Sequence, residues 1–276
     1  MLPNALPTSL PSPSAFHAAF FGARAADVRR IDLAGGCWML CGKLAHALQP
    51  SEKEVEELWA AKPKEREQFE MYGRAVAVPR DLRLYSQGPL TVRVSNTDFE
   101  ATDLCKNEDQ HPHPSFLHRL LDGVPPAYGY NSVVANWYLD GGDYIGWHGD
   151  REKLIDAEGA PILSVSLGSS RRFQVRHEAS QRIVFDELLS DGDCVIMGGP
   201  RFQHRYKHRV PKMLAKKDGD VGRRINLTVR KYATDGVVKH EPISKPPRSS
   251  KPTSKPISKT KRSRPVRSLR SSLGCE

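Results

Sequence analysis

The sequence predicts an α+β fold in which helices brace one sheet of an all-β barrel or double-sheet jelly roll. Three observations carry that expectation. Two segments with helical periodicity come first, close to residues 51–62 and 113–124. From residue 131 onwards there are six short β-rich runs, each closed by Gly, Asp, Ser or Pro, at the spacing of a barrel or sandwich. A chain of 276 residues, 38% hydrophobic and 27% charged, can also bury one substantial core.

Taken in order, LPTSLPSPS at residues 6–14 is a flexible Pro/Ser leader, and residues 1–50 stay unassigned apart from CWMLC, Cys37 to Cys41, which reads as core packing. Ser51 suits an N-cap, and Glu54 three residues later completes a capping box. The helical pattern then runs until Pro63, which has no amide hydrogen for a helix interior. In HPSFLHRLLDGV the residues Phe116, Leu117, Leu120, Leu121 and Val124 form one apolar stripe, a second amphipathic helix. The strand candidates are SVVANWYL, ILSVSLG, RRFQVRH, QRIVF, CVIMG and RINLTVRKY.

The last of these is the most informative. Ile225, Leu227 and Val229 fall on one face, and Arg224, Asn226, Thr228 and Arg230 fall on the other. Such a strand is either an edge strand with a wet face or the wall of a barrel mouth that holds an anion. Arg224 and Arg230 are separated by about 20 Å of strand at roughly 3.3 Å per residue. They suit the two ends of a small dicarboxylate better than one shared carboxylate.

Charge is unevenly distributed. Of the net +10, residues 236–276 supply +9, from 11 Lys/Arg against Glu241 and Glu276. That tail of Ser, Pro and Lys has almost nothing to bury and is expected to be disordered. Its KTKRSRPVR suits nuclear import or loose phosphate contact, and a solvated solubility tail fits the composition equally; a nuclear location is the expectation, with organelle import left open. The five cysteines are odd in number and form no CxxC pair, which argues against a disulfide framework or zinc ribbon and for a reducing compartment. No apolar run approaches the roughly 20 residues of a membrane helix, and a monomer with no membrane partner is expected.

YLDGGDYIGWHGD, Tyr138 to Asp150, contains the one His-x-Asp triplet of the chain, His148 and Asp150. With 10 His and 17 Asp, chance alone gives roughly 0.6 such triplets, so the triplet by itself decides nothing. A third ligand is on offer further on: GGPRFQHRYKHRVPK holds His204 and His208. Two His and one carboxylate that leave coordination positions open form the facial triad of non-haem Fe(II) oxygenases. The open positions take a bidentate co-substrate and O₂, and a dicarboxylate co-substrate would explain the arginine strand.

Taken together, VPRDLRLY, NSVVANWYLDGGDYIGWHGDRE, PILSVSLGSSRRFQVRH and HRVPK…RRINLTVRKY resemble the AlkB family of 2-oxoglutarate- and Fe(II)-dependent dioxygenases, close to its nucleic-acid repair members. The ordered set N-x-Y, H-x-D, late His and R-x-N-x-x-x-R is far more specific than any one piece. The resemblance implies a double-stranded β-helix (jelly-roll) core. It also implies Fe(II) held by His148, Asp150 and His208, with His208 preferred to His204 because HRVPK matches the family's segment.

For 2-oxoglutarate it implies Asn136, Tyr138, Arg224, Asn226, Thr228 and Arg230, with Arg224 at the distal carboxylate and Asn226 and Arg230 towards the chelating end. For substrate it implies Arg80 and Tyr85 in a lid-like segment at about residues 78–100, Tyr85 stacking on a base, and Glu152 bonding its exocyclic amine. The expected reaction is oxidative demethylation of alkylated DNA or RNA, coupled to 2-oxoglutarate decarboxylation and formaldehyde release, on a base outside the stack. Trp147, Gly149 and Arg151 depart from what relatives often carry. The expected organisation is an unassigned segment at 1–50, a dioxygenase domain at 51–234 with its core at about 131–232, and the basic tail at 235–276. A dioxygenase acting on protein or a small molecule, and a nucleic-acid-binding module without catalysis, are the competing readings.

Overall fold

A computed structural model describes residues 20–21, 28–71, 74–94, 97–106, 114–152, 155, 160–214, 218 and 221–233. The leader at 6–14 and the basic tail at 235–276, on which the nuclear expectation rests, lie outside the described residues. The chain begins with a hairpin, β1 (Arg29–Asp32) and β2 (Trp38–Lys43), followed by helix α1 (Glu52–Ala60). Two hairpins and a longer strand follow: β3 (Gln68–Met71) with β4 (Arg74–Ala77), then β5 (Asp81–Ser86), then β6 (Thr91–Val94) with β7 (Thr97–Glu100). A short β8 (Thr102–Asp103) and helix α2 (Ser115–Gly123) lead into the core.

The core strands are β9 (Ser132–Tyr138), β10 (Ile145–His148), β11 (Ile162–Gly168), β12 (Arg171–His177), β13 (Ile183–Leu189) and β14 (Asp193–Gly198). A helical turn α3 (Phe202–Arg205), then β15 (Tyr206–Val210) and β16 (Arg224–Arg230), complete it. The strands form a large sheet in the order β1-β2-β14-β11-β16-β9-β5-β8 and a smaller one in the order β10-β15-β12-β13. This is the expected double-stranded β-helix with helices on one sheet.

Local sequence explains both helices. Ser51 Oγ accepts from the Glu54 amide while the Glu54 carboxylate accepts from the Ser51 amide, so the capping box forms as read. All five stripe residues around α2, from Phe116 to Val124, are buried. With Leu48 and Leu58 they pack on Val133, Ala135, Trp137, Leu163, Val165, Leu227 and Val229 of the large sheet. Trp137 is fully buried there and its indole N–H donates to Leu58 O at 3.0 Å. Burying each such side chain contributes roughly 1.5–3 kcal/mol. A second apolar layer, including Met39, Tyr138, Phe173, Val175, Val195 and Met197, fills the space between the sheets.

Two open readings are decided and one expectation needs correction. Strand β16 is not a wet edge: it pairs with β11 on one side and β9 on the other, and all seven residues are buried. Part of the unassigned segment is sheet, because β2 pairs with β14 from Asp193↔Lys43 to Gly198↔Trp38 and brings CWMLC into the core. The lid-like segment is also divided. Its DLRLY lies in β5 of the large sheet, whereas β6–β7 is a separate hairpin that meets the β3–β4 hairpin edge-on through Phe69 and Phe99 at 5.3 Å.

Candidate active site

Period-two alternation on three adjacent strands builds one wall of the site. Arg224 lies opposite Tyr138 and Asn226 opposite Asn136, so two motifs read separately in the sequence form one cross-strand set. On the other flank Ser166 faces Asn226 and Ser164 faces Thr228. Asn226 Nδ2 donates to Ser164 Oγ at 2.8 Å, and Arg224 Nη2 donates to Ser166 Oγ at 2.9 Å. Sequence reasoning overlooked these serines. Their signal was the S-V-S alternation inside ILSVSLG, polar at every second position of an otherwise apolar strand.

The smaller sheet supplies the opposite wall. His148 on β10 and His208 on β15 are direct register partners, next to an irregularity in that ladder. Asp150 follows two residues after His148 and is buried. His148 Nε2 lies 3.7 Å from Asp150 Oδ1, and His208 Nε2 lies 3.8 Å from Asp150 Oδ2. One ligand atom from each of the three falls within 4.8 Å of the others, the one such group among the described residues. His204 is not part of it. The α3 turn intervenes, so the strand parity that would give His204 and His208 the same face does not apply, and His204 is exposed.

The electrostatics of this cluster suit a metal. Burial pushes both imidazoles down to about 3, with His208 adding to the effect on His148 and Arg230 to that on His208. Both are therefore neutral ligands at neutral pH. His148 Nδ1 lies 2.9 Å from Gly146 O, a carbonyl that can only accept. The proton thus sits on Nδ1, and the Nε2 lone pair is turned to the cluster. Gln203 Oε1 accepts from the Asp150 amide at 3.1 Å and fixes that turn. Asp150 Oδ1 accepts from Arg230 Nη2 at 2.7 Å, whereas Oδ2 is buried with no hydrogen-bond partner among the described residues. An orphaned carboxylate oxygen beside two neutral imidazoles fits a divalent cation with open positions.

The cluster opens on a cavity of about 410 Å³, part of it open to solvent. Arg80, Asn136, Tyr138, Asn226, Thr228 and Arg230 supply its polar lining, and Ile145, Phe173, Met197 and Val210 its apolar lining. Arg80 Nε donates to Asn136 Oδ1 at 2.6 Å. Arg224 does not line the cavity. It is buried beside the Tyr138 ring, 5.2 Å from its centroid, and its Nε and Nη1 have no hydrogen-bond partner among the described residues. At the other end Arg230 is shared: Nη2 bonds Asp150, and Nη1 bonds Glu152 Oε1 at 2.9 Å and Tyr232 Oη at 3.2 Å. Burial opposes its charge, but Asp150 and Glu152 hold its pKa above the usual value. The two arginines therefore sit at opposite ends of one polar strand face, Arg230 beside the cluster.

Tyr85 is not where the sequence reading put it. It pairs with Val133, and that register turns it to the helix face of the sheet, where it is 1% exposed and packed in the core. A side chain there cannot stack on a base, and the cavity face of β5 belongs to Leu82, Leu84 and Ser86. Arg80 and Glu152 do lie at the site, Glu152 engaged by Arg230.

Gly149, between the two ligands of the triplet, answers to packing. A Cβ there would stand 2.2 Å from Gln203 O, a backbone atom that cannot rotate away. Gly149→Ala is expected to cost about 1–3 kcal/mol and to weaken metal binding, read by thermal denaturation and metal titration. An Ala variant with unchanged melting and metal affinity would refute that contact.

The family described as the 2OG-Fe(II) oxygenase superfamily matches residues 44–230. The DNA oxidative demethylase ALKBH2 of Homo sapiens is 33% identical over 195 residues, which cover 66% of this chain and 66% of that protein. Its Bos taurus counterpart is 32% identical over 235 residues, covering 75% and 77%. The alpha-ketoglutarate-dependent dioxygenase alkB homolog 3 of Bos taurus is 29% identical over 167 residues, covering 56% of each chain.

Proposed function

The chain belongs to the AlkB family within the 2OG-Fe(II) oxygenase superfamily, and on that premise we propose that it removes methyl groups oxidatively from N-alkylated bases of nucleic acid, such as N1-methyladenine and N3-methylcytosine in DNA. The observation that carries this reading is the His148–Asp150–His208 cluster opening on a cavity with an arginine-ended polar strand. The relatives named as DNA oxidative demethylases support the choice of substrate.

In this reading His148, Asp150 and His208 hold Fe(II). Asn136, Tyr138, Asn226 and Thr228 orient 2-oxoglutarate, with Arg224 at its distal carboxylate and Arg230 towards the metal. When bound, iron with 2-oxoglutarate and O₂ supplies the oxidation of an unactivated C–H bond, with release of succinate and CO₂. The protein positions the reactants and excludes water. Arg230 holds Asp150 turned to the cluster through its hydrogen bond to Oδ1, and the apolar side chains Phe173, Met197 and Val210 keep that end of the cavity dry. In this reading Arg80 and Glu152 contact the flipped base, Arg80 from the cavity lining and Glu152 from beside Arg230. Hydroxylation of an N-methyl group gives a hydroxymethyl adduct that loses formaldehyde and returns the N–H base.

Formaldehyde release measured with single-stranded DNA, duplex DNA and RNA oligonucleotides tests the proposal. Oligonucleotides with N1-methyladenine or N3-methylcytosine should release formaldehyde and stimulate succinate formation, and unmodified ones should do neither. Methylated oligonucleotides that fail to stimulate succinate formation, while a protein extract does, would leave the dioxygenase and remove the nucleic-acid substrate.

A further inference from the structure

Arg171 opens β12 and is 0% exposed, although nothing in the sequence pattern marked it. Its Nη1 donates to Asp140 O at 2.9 Å, and its Nη2 to Asp143 O at 2.6 Å and Pro211 O at 3.0 Å. The first two carbonyls lie on the connection from β9 to β10, which leads to His148. The third lies just past β15, which carries His208. One guanidinium therefore ties both ligand-bearing strands to a common point. The two connections also touch directly, Met213 N donating to Gly141 O at 2.9 Å.

The same guanidinium reaches the co-substrate end. It lies over the Tyr138 ring at 5.2 Å from the centroid, and Arg224 meets that ring at the same distance. Arg171 has only backbone carbonyls as hydrogen-bond acceptors among the described residues. Its Nε, with Nε and Nη1 of Arg224, is buried without a hydrogen-bond partner among the described residues. Burial lowers both pKa values, that of Arg224 to about 10. Two buried cations on one tyrosine, with donors to spare, form a place that a carboxylate relieves.

We propose that Arg171 is a positioning residue for the dicarboxylate co-substrate: by pinning Tyr138 and the 140–143 connection it sets the end wall at which Arg224 offers its free N–H groups to the distal carboxylate. The inference rests on the assignment of that carboxylate to Arg224.

Calorimetric titration of 2-oxoglutarate into protein loaded with Mn(II), beside a titration of Mn(II) itself, tests it. Arg171→Met should weaken 2-oxoglutarate binding by roughly tenfold or more, and should weaken Mn(II) binding by clearly less, because Arg171 pins the end wall at Tyr138 whereas the ligand strands are also paired to each other. Arg171→Lys keeps the charge but cannot span three carbonyls, and should fall between. Tyr138→Leu removes the shared ring, so combining it with Arg171→Lys should cost less than the sum of the two losses. Equal weakening of Mn(II) and 2-oxoglutarate in the Arg171 variants overturns the proposal, as does a strictly additive double variant or an Arg171→Lys protein with normal 2-oxoglutarate affinity. If Arg171→Met does not fold, the Lys variant and the double variant decide. Arg224→Met is the reference arm. Normal 2-oxoglutarate binding there removes the carboxylate assignment itself, whereas loss there with none at Arg171 removes only the positioning role.

Discussion

Replacing His148, Asp150 or His208 singly by Ala is expected to abolish turnover, a loss beyond the roughly 100-fold that an outer-shell partner can cost. The reason is geometric. The three side chains come from two paired strands and the turn after one of them, and their ligand atoms fall within 4.8 Å of one another. A missing ligand cannot be replaced from nearby, because this is the one such group among the described residues. The fold should survive, since the core is held by apolar packing between and behind the sheets. His204→Ala is the matched control, exposed on α3 and expected to keep normal turnover. Circular dichroism, Mn(II) titration and succinate formation read the three quantities separately. An active His208→Ala protein with an inactive His204→Ala counterpart would reverse the ligand assignment.

Arg230→Met carries the second large effect, and it acts on stability as well as chemistry. The guanidinium is buried between Asp150 Oδ1 at 2.7 Å and Glu152 Oε1 at 2.9 Å. Removing it strands two carboxylates, each of which already has a buried oxygen without a hydrogen-bond partner among the described residues, Asp150 Oδ2 and Glu152 Oε2. Breaking a buried pair from one side costs about 3–5 kcal/mol, which for a domain of this size lowers the melting temperature by on the order of 10 °C. 2-Oxoglutarate affinity should fall in the same variant. Adding Glu152→Gln removes one stranded charge and should recover part of the stability without restoring turnover. Equal melting of Arg230→Met and the parent protein would show that the buried pair contributes nothing net.

How far the sequence reaches can be judged residue by residue. The capping box at Ser51 and Glu54 and the stripe from Phe116 to Val124 were legible because their signals are local: one turn of helix, one face of a helix. The alternation in RINLTVR was equally plain, but alternation tells only that two faces differ. It does not tell which face is inside. Because the smaller sheet lies across the cavity from it, the polar face of β16 turns inward and becomes one wall of a site.

What the sequence determined by itself was the inventory and its order: an H-x-D pair, a late histidine, an N-x-Y pair and an arginine-ended strand, together specific enough to indicate a family. What only the tertiary structure decided was where each side chain points. His208 rather than His204 joins the cluster because the α3 turn breaks strand parity between them. Tyr85 belongs to the core because its register with Val133 turns it to the helix face. Ser164 and Ser166 bond Asn226 and Arg224 from a strand whose sequence distance gives no hint of its neighbours. The physical reason is the same in each case. A period of two residues sets faces along a strand, but which face meets a cavity depends on pairing register between strands, and register is set by contacts between residues far apart in the chain.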